Sequence, residues 1–170
     1  AQQIGSTGYN AASMQAPQNI QAQGYNAAQP TGFRAVWELS NTVAYVFPST
    51  ALAMSFTSTL SETLTMTVSG LDATYALKTA TVSFSGGTVG NVISGTSTFF
   101  RINKVTVTSG TNAGNISVTN GATTYAYILA GAGTSSASIY TVPTGYTFYL
   151  TRSQAYTTNN GNQFCTYRVY

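Results

Sequence analysis

The run Thr63-Leu64-Thr65-Met66-Thr67-Val68-Ser69-Gly70-Leu71-Asp72 has a period of two. Leu64, Met66 and Val68 alternate with Thr63, Thr65 and Thr67, and successive side chains of an extended chain point to opposite faces. One face is therefore apolar and buried, and the other presents hydroxyls. Working outward, further short runs rich in Val, Thr, Tyr, Phe and Ile are separated by Gly, Asn and Ser clusters, the signature of many short strands. Strands are expected near Ala35–Leu39, Val43–Phe47, Ala53–Thr57, Thr63–Ser69, Lys78–Ser83 and Phe99–Thr108. Five more are expected near Asn115–Val118, Thr123–Leu129, Ser138–Val142, Tyr146–Ala155 and Gln163–Tyr170. Ser85-Gly86-Gly87, Ser109-Gly110-Thr111-Asn112, Asn120-Gly121 and Asn159-Asn160-Gly161 carry turn chemistry, because Gly and Asn tolerate positive φ. These turns predict antiparallel hairpins and meanders. No convincing window has helical periodicity, so the economical architecture is all-β, an antiparallel β-sandwich or jelly roll.

The composition excludes several kinds of function. Of 170 residues, six are Lys or Arg, three are Asp or Glu and none is His, so 5% are charged, against about a quarter in ordinary soluble domains. The bases Arg34, Lys78, Arg101, Lys104, Arg152 and Arg168 are scattered singly. The net charge of +3 follows from scarcity of acid and not from a basic patch, which argues against nucleic-acid binding. Glu38, Glu62 and Asp72 are too few and too dispersed for a local metal site, and no cofactor motif is present. The longest apolar stretches, such as Val43–Phe47 and Tyr125–Ala130, fall far short of the roughly 20 residues of a membrane-spanning helix. The opening Ala1-Gln2-Gln3-Ile4-Gly5 lacks the basic and then apolar pattern of a secretory signal. The lone Cys165 has no internal disulfide partner and no activating base nearby, and reads as a packing residue. Solubility must come from hydroxyls and amides, or from burial in an assembly.

Residues 1–32 form a separate organisational unit, rich in Gln, Ala, Asn and Gly. The pentapeptide Gly-Tyr-Asn-Ala-Ala occurs at Gly8–Ala12 and again at Gly24–Ala28, a period of 16 residues. Met14, Ala16, Ile20 and Ala22 are too few and too small to build a core, and Pro17 and Pro30 discourage a continuous helix. One reading is a disordered tail. The sharper one is an extended N-terminal arm whose Tyr9, Tyr25 and Phe33 dock into a neighbour, since a tyrosine brings large contact area at small entropic cost. Residues 33–170 form the β domain.

Candidate chemistry is sparse. No Gly-rich loop is followed by Lys-Ser/Thr, so phosphate cradling has no support. A serine nucleophile without histidine would need a lysine partner, and neither Lys78 nor Lys104 sits in a suggestive motif. Glu38, Glu62 and Asp72 serve as a two-carboxylate glycosidase only if the fold brings a pair together. More simply, Glu38 adjoins Trp37 in a strand, Glu62 lies in a loop, and Asp72 bonds backbone amides at a turn. In Tyr140–Thr151, Pro143 and Gly145 shape a turn, Val142 faces the core, and Tyr146, Phe148 and Leu150 share a face. Tyr146, Phe148 and Tyr149 are the candidate interface or glycan contacts, packing being the commoner use of such a row. Arg101 and Lys104, on either side of Ile102, read as solvent-facing or paired with a neighbour's backbone carbonyls. Trp37, the single tryptophan, reads as a core anchor where arm and body meet.

Five segments in order carry a resemblance. They are Ala35-Val36-Trp37-Glu38, Ala44-Tyr45-Val46-Phe47-Pro48-Ser49, Thr67-Val68-Ser69-Gly70-Leu71-Asp72-Ala73-Thr74-Tyr75, Phe99-Phe100-Arg101-Ile102-Asn103-Lys104 and Tyr140-Thr141-Val142-Pro143-Thr144-Gly145-Tyr146-Thr147-Phe148-Tyr149-Leu150-Thr151. Over roughly residues 33–170 the chain resembles a family of tailed-bacteriophage virion structural proteins. The resemblance implies a non-enzymatic, β-rich component located in the virion, of capsid-decoration or head-fibre type, with other virion proteins of capsid, neck or tail as partners. It implies a homo-oligomer, a trimer being the expected form. The competing reading is a tail or neck fibre, or an adhesin that binds host-surface carbohydrate. The family pattern continues past the strand ending at Tyr170, so the expectation is either a longer protein or a last strand that closes its sheet against another copy.

Overall fold

The computed structural model describes residues 20–24, 35–39, 43–86 and 92–150. Among the described residues seven strands follow one another: β1 (Leu52–Ser58), β2 (Thr63–Leu71), β3 (Leu77–Ser85), β4 (Val92–Phe99), β5 (Arg101–Ser109), β6 (Ile116–Asn120) and β7 (Thr123–Ile128). They form two antiparallel sheets, one of four strands in the order β4-β1-β6-β7 and one of three in the order β3-β2-β5. The described residues contain no helix, and the all-β expectation holds.

The alternation read from β2 is realised. Leu64, Met66 and Val68 are buried among Val82 and Phe84 of β3, Ile102 and Val105 of β5, and Met54, Phe56, Ile116, Val118 and Ile128 of the other sheet. Both sheets thus bury their apolar faces in one shared core. All nine residues of β2 pair with β3 in unbroken register, from Thr63 opposite Ser85 to Leu71 opposite Leu77. On the outer face this register sets Thr63, Thr65, Thr67 and Ser69 across from Ser85, Ser83, Thr81 and Thr79.

Two irregularities in β5 reshape the pattern. Gly70 pairs with Ile102 and Ser69 with Lys104, so Asn103 is an extra residue in the ladder. The bulge lets Ile102 and Val105, three positions apart, both enter the core, which simple alternation forbids. Asn103 turns its amide outward, donating to Thr141 O at 3.0 Å and accepting from Thr141 N at 2.9 Å. A second extra residue, Thr108, lies where Met66 pairs with Val107 and Thr65 with Ser109. Gly70 is required at its bulge because a Cβ there would overlap Arg101 O and lie 3.0 Å from Phe99 Cδ1.

Only two connections are hairpins within a sheet, β2–β3 and β6–β7; the other four cross between sheets. Asn120-Gly121 forms the expected tight hairpin, with Gly121 at φ 57° between the paired Asn120 and Thr123. Gly86 and Gly110 also adopt positive φ, yet their loops lead to the opposite sheet and not to a hairpin partner. The expected succession of hairpins is thus realised at β2–β3 and β6–β7 and replaced elsewhere by crossovers between the two sheets.

Several strand expectations are corrected. Residues 35–39, 43–47, 138–142 and 146–150 form no strand, although their Val, Tyr and Phe content favours one. Strand propensity needs a pairing edge, and the pairing here reduces to one Trp37–Ala137 bridge. Val36 and Ser138 add a local clasp: Ser138 N donates to Val36 O at 2.9 Å and Val36 N donates to Ser138 Oγ at 3.1 Å. Conversely, β4 was unmarked by its Ser-, Thr- and Gly-rich sequence, and Phe99 ends β4 instead of opening the next strand. The expected strand Gln163–Tyr170, residues 151–155 of another, the Asn159-Asn160-Gly161 turn and Cys165 lie outside the described residues.

The loops are held by two buried polar side chains. Glu62, 4% exposed, accepts from Ser58 Oγ at 3.0 Å, Gly114 N at 2.6 Å and Ala113 N at 3.2 Å, tying the β1–β2 loop to the β5–β6 loop. Fully buried Asn112 donates to Leu129 O and Gly114 O at 2.7 and 3.0 Å and accepts from Gly133 N at 3.0 Å. Removing Glu62 strands two backbone amides and a hydroxyl. Glu62→Ala is expected to lower stability by about 2–4 kcal/mol, seen in urea as a lower midpoint with an unchanged slope.

Candidate functional site

The chain places its clearest cluster of recognition-type side chains where β5 begins. The β4–β5 junction puts Phe100 and Arg101 in succession at a corner pinned by the Phe100 N to Leu71 O hydrogen bond of 2.8 Å. From the other side the segment 43–48 crosses this corner, and Arg101 Nη1 donates to Pro48 O at 2.9 Å and to Phe100 O at 2.7 Å. The guanidinium carbon stands 3.9 Å from the Phe100 ring centroid, 4.9 Å from Phe47 and 5.6 Å from Tyr75. Tyr75 meets Phe100 edge-on at 5.1 Å. Behind Phe47 the rings continue inward, Tyr45 at 5.1 Å and then Trp37 at 5.2 Å, both edge-to-face. Quadrupole attraction between rings and cation favours both arrangements. The stack runs from buried Trp37, 2% exposed, to Phe47 at 44% and Tyr75 at 37% exposed. Burial pushes the Tyr45 hydroxyl up to about 12, partly offset by the Arg101 charge.

Tyr75 is set rigidly. It has φ 62°, the left-handed region that non-glycine residues seldom occupy. The Asp72 carboxylate holds the turn: its Oδ1 accepts from Thr74 Oγ1 at 2.7 Å, Thr74 N at 2.8 Å and Ala76 N at 3.1 Å. These bonds, the Thr74 hydroxyl first, keep the Asp72 carboxyl below its ordinary range. The expectation that Asp72 bonds nearby amides at a turn is realised. Tyr75 O then accepts from Thr144 N at 2.8 Å, which brings the Pro143–Tyr146 turn against the Tyr75 loop. In that turn Gly145 takes the expected left-handed conformation, at φ 78°, while Pro143 is the buried residue and Val142 is half-buried.

The three acids stay apart in role. Glu62 and Asp72 stand at opposite ends of β2, roughly 30 Å by strand rise, too far to flank one glycosidic bond. Glu38 lies beside the β7 end, where burial raises its carboxyl above the ordinary 4.5 and the Leu129 and Ser136 amides oppose the rise. Its Oε2 is buried without a hydrogen-bond partner among the described residues. No group of three or more His, Cys, Asp or Glu side chains suited to a metal ion occurs among the described residues.

Of the residues singled out from sequence, Tyr146, Phe148 and Tyr149 are exposed at 40%, 48% and 78%, with Phe148 tilted against Tyr140 at 6.1 Å. They lie in the irregular segment next to the Tyr75 loop. Tyr9, Tyr25 and Phe33 lie outside the described residues. Lys104 is exposed as expected. Arg101 is half-buried and bonds carbonyls of its own chain, where a solvent-facing side chain or one paired with a neighbour's carbonyls is expected. Phe47, Tyr75 and Phe100 went unmarked as site residues because each belongs to a different run, and only the β4–β5 corner assembles them.

Glu38 yields a pH test. A carboxyl whose folded pKa is raised binds its proton more tightly when folded, so stability falls as pH rises above the ordinary value. Glu38→Gln is expected to melt higher than the parent at pH 7 and to match it at pH 4, in calorimetric scans across that range. Comparison with protein-family models, curated proteins and solved structures finds nothing that matches the chain.

Proposed function

We propose that the chain is a non-enzymatic structural protein of a tailed-phage virion, a capsid-decoration or head-fibre subunit with a β-sandwich or jelly-roll body and an N-terminal docking arm. The observation that carries this reading is the outer face of β2 and β3. Its four facing pairs, Thr63–Ser85, Thr65–Ser83, Thr67–Thr81 and Ser69–Thr79, are all hydroxyl residues without a charge. Thr65 Oγ1 and Ser83 Oγ are within hydrogen-bond distance at 3.1 Å. A surface that must stay dispersed alone generally carries about a quarter to a third charged residues. A hydroxyl face whose one charge is Lys104 of β5, opposite Ser69, suits packing against other copies and other particle proteins, with trimerisation as the expected closed form. The resemblance read from the five ordered segments implies the same role.

Gln23 and Gly24 pack on the chain's own body, so the docking part of the arm reading rests on the repeated Gly-Tyr-Asn-Ala-Ala sequence and not on these contacts. Ser136 Oγ donates to Gln23 O at 3.1 Å, and Gly24 lies so close to the Val36 and Ser138 backbone that a Cβ would overlap Val36 O. Gly24 opens the second Gly-Tyr-Asn-Ala-Ala copy, which supplies a reason for glycine at the head of the repeat. A second reading, an adhesin or tail-fibre component that binds host carbohydrate, is favoured by the exposed Tyr146, Phe148 and Tyr149 beside the Tyr75 loop.

Immunogold labelling of purified particles with an antibody to residues 33–170 tests the assignment. Label spread over heads is the expected result, label at one pole makes it a neck or tail component, and unlabelled intact particles overturn the virion reading. Removing residues 1–32 is expected to abolish incorporation while the body still folds by circular dichroism; unchanged incorporation overturns the arm.

A further inference from the structure

We propose that Arg101, framed by Phe47 and Tyr75, is a binding site for an acidic saccharide, one whose pyranose ring bears a carboxylate. A guanidinium has five N–H donors. Nη1 uses both of its own on Pro48 O and Phe100 O, which fixes the orientation of the group. On the other edge, Nη2 reaches only the Tyr75 hydroxyl, at a long 3.4 Å, and Nε has no acceptor among the described residues. The Nε and Nη2 hydrogens lie parallel and match the two oxygens of a carboxylate.

Charge supports the same ligand. No carboxylate pairs with Arg101 among the described residues: Glu62 is engaged by Ser58, Ala113 and Gly114, Asp72 by Thr74 and Ala76, and Glu38 lies by the Leu129 and Ser136 amides. A cation held in place by aromatic rings and backbone carbonyls, without a counter-ion, retains its attraction for an anion from outside. The rings supply the second half of recognition. Phe47 and Tyr75 are partly exposed, and the apolar C–H face of a pyranose packs on such rings. The cost of ordering the site is already met, because the Asp72 bonds and the Tyr75 O to Thr144 N bond hold Tyr75 in its left-handed conformation. Neutral sugars would gain the stacking but leave the guanidinium edge unmatched, so the site discriminates by charge.

The inference sharpens the carbohydrate reading by ligand class but puts the site on different residues, so the two can fail separately. Isothermal titration of the purified full chain with tetragalacturonate and 3′-sialyllactose, against maltotetraose and lactose, is the test. Binding of at least one acidic probe is expected, absent for its neutral counterpart and weakened by salt. Arg101→Lys keeps the charge but removes the planar fork and is expected to weaken binding about tenfold or more, as is Phe47→Ala. Phe47→Ala removes no hydrogen bond and keeps the test valid if the Arg101 variant misfolds. Three results overturn the proposal: no acidic probe binds, neutral and acidic probes bind equally, or both substitutions leave affinity unchanged. Acidic binding lost in Phe148→Ala or Tyr149→Ala but kept in both site variants overturns it in favour of the 146–149 row.

Discussion

Met66 and Val68 on β2 are wholly removed from solvent, and the rest of the structure depends on covering that apolar face. Isolated, β2 and its two neighbours would expose Leu64, Met66, Val68, Val82, Phe84 and Val105 to water. Each Å² of that apolar surface left in water forfeits about 25 cal/mol. The second sheet supplies Met54, Phe56, Ile116, Val118 and Ile128 to the same core. Among the described residues four of the six strand connections cross from one sheet to the other, and the loops that make those crossings hold the two sheets together.

With so few charges, the loops are secured by single buried polar groups. Glu62 and Asn112 each join segments far apart in sequence, and each has its carboxylate or amide satisfied by several backbone partners. Elsewhere hydroxyls take the part that ion pairs play in most domains: Ser135 Oγ accepts from Val105 N, and Thr134 Oγ1 donates to Val105 O. Together with the Val107 N to Gly133 O bond they cover the outer edge of β5. An edge closed in this way is not available for pairing with another chain.

The Arg101 cluster shows how a site arises without charged networks. Its cation is positioned by two backbone carbonyls and three rings, and its boundary residue Tyr75 is held in a left-handed conformation by the Asp72 carboxylate. Structure and candidate function thus share the same few groups. The same corner that seats Arg101 forces glycine at position 70, because β2 and the start of β5 approach closer there than a Cβ allows.

The alternation of Leu64, Met66 and Val68 with threonines determined by itself that β2 is a half-buried strand, since a period of two sorts side chains onto two faces irrespective of partner. Gly121 and Asp72 were equally legible, because positive φ and side chain–to–amide bonding are properties of a few adjacent residues. Only the tertiary structure decided the rest. The Val-, Tyr- and Phe-rich stretches at 43–47 and 138–142 found no sheet edge and stayed irregular, while the Ser-, Thr- and Gly-rich 92–99 found β1 and became a strand. Asn103 broke the alternation of β5 because the ladder needed one extra residue opposite Gly70. Phe47, Tyr75 and Arg101 became neighbours through the β4–β5 corner, a juxtaposition set by which sheet each strand joins, and strand partners are chosen by long-range burial that no local run of residues encodes.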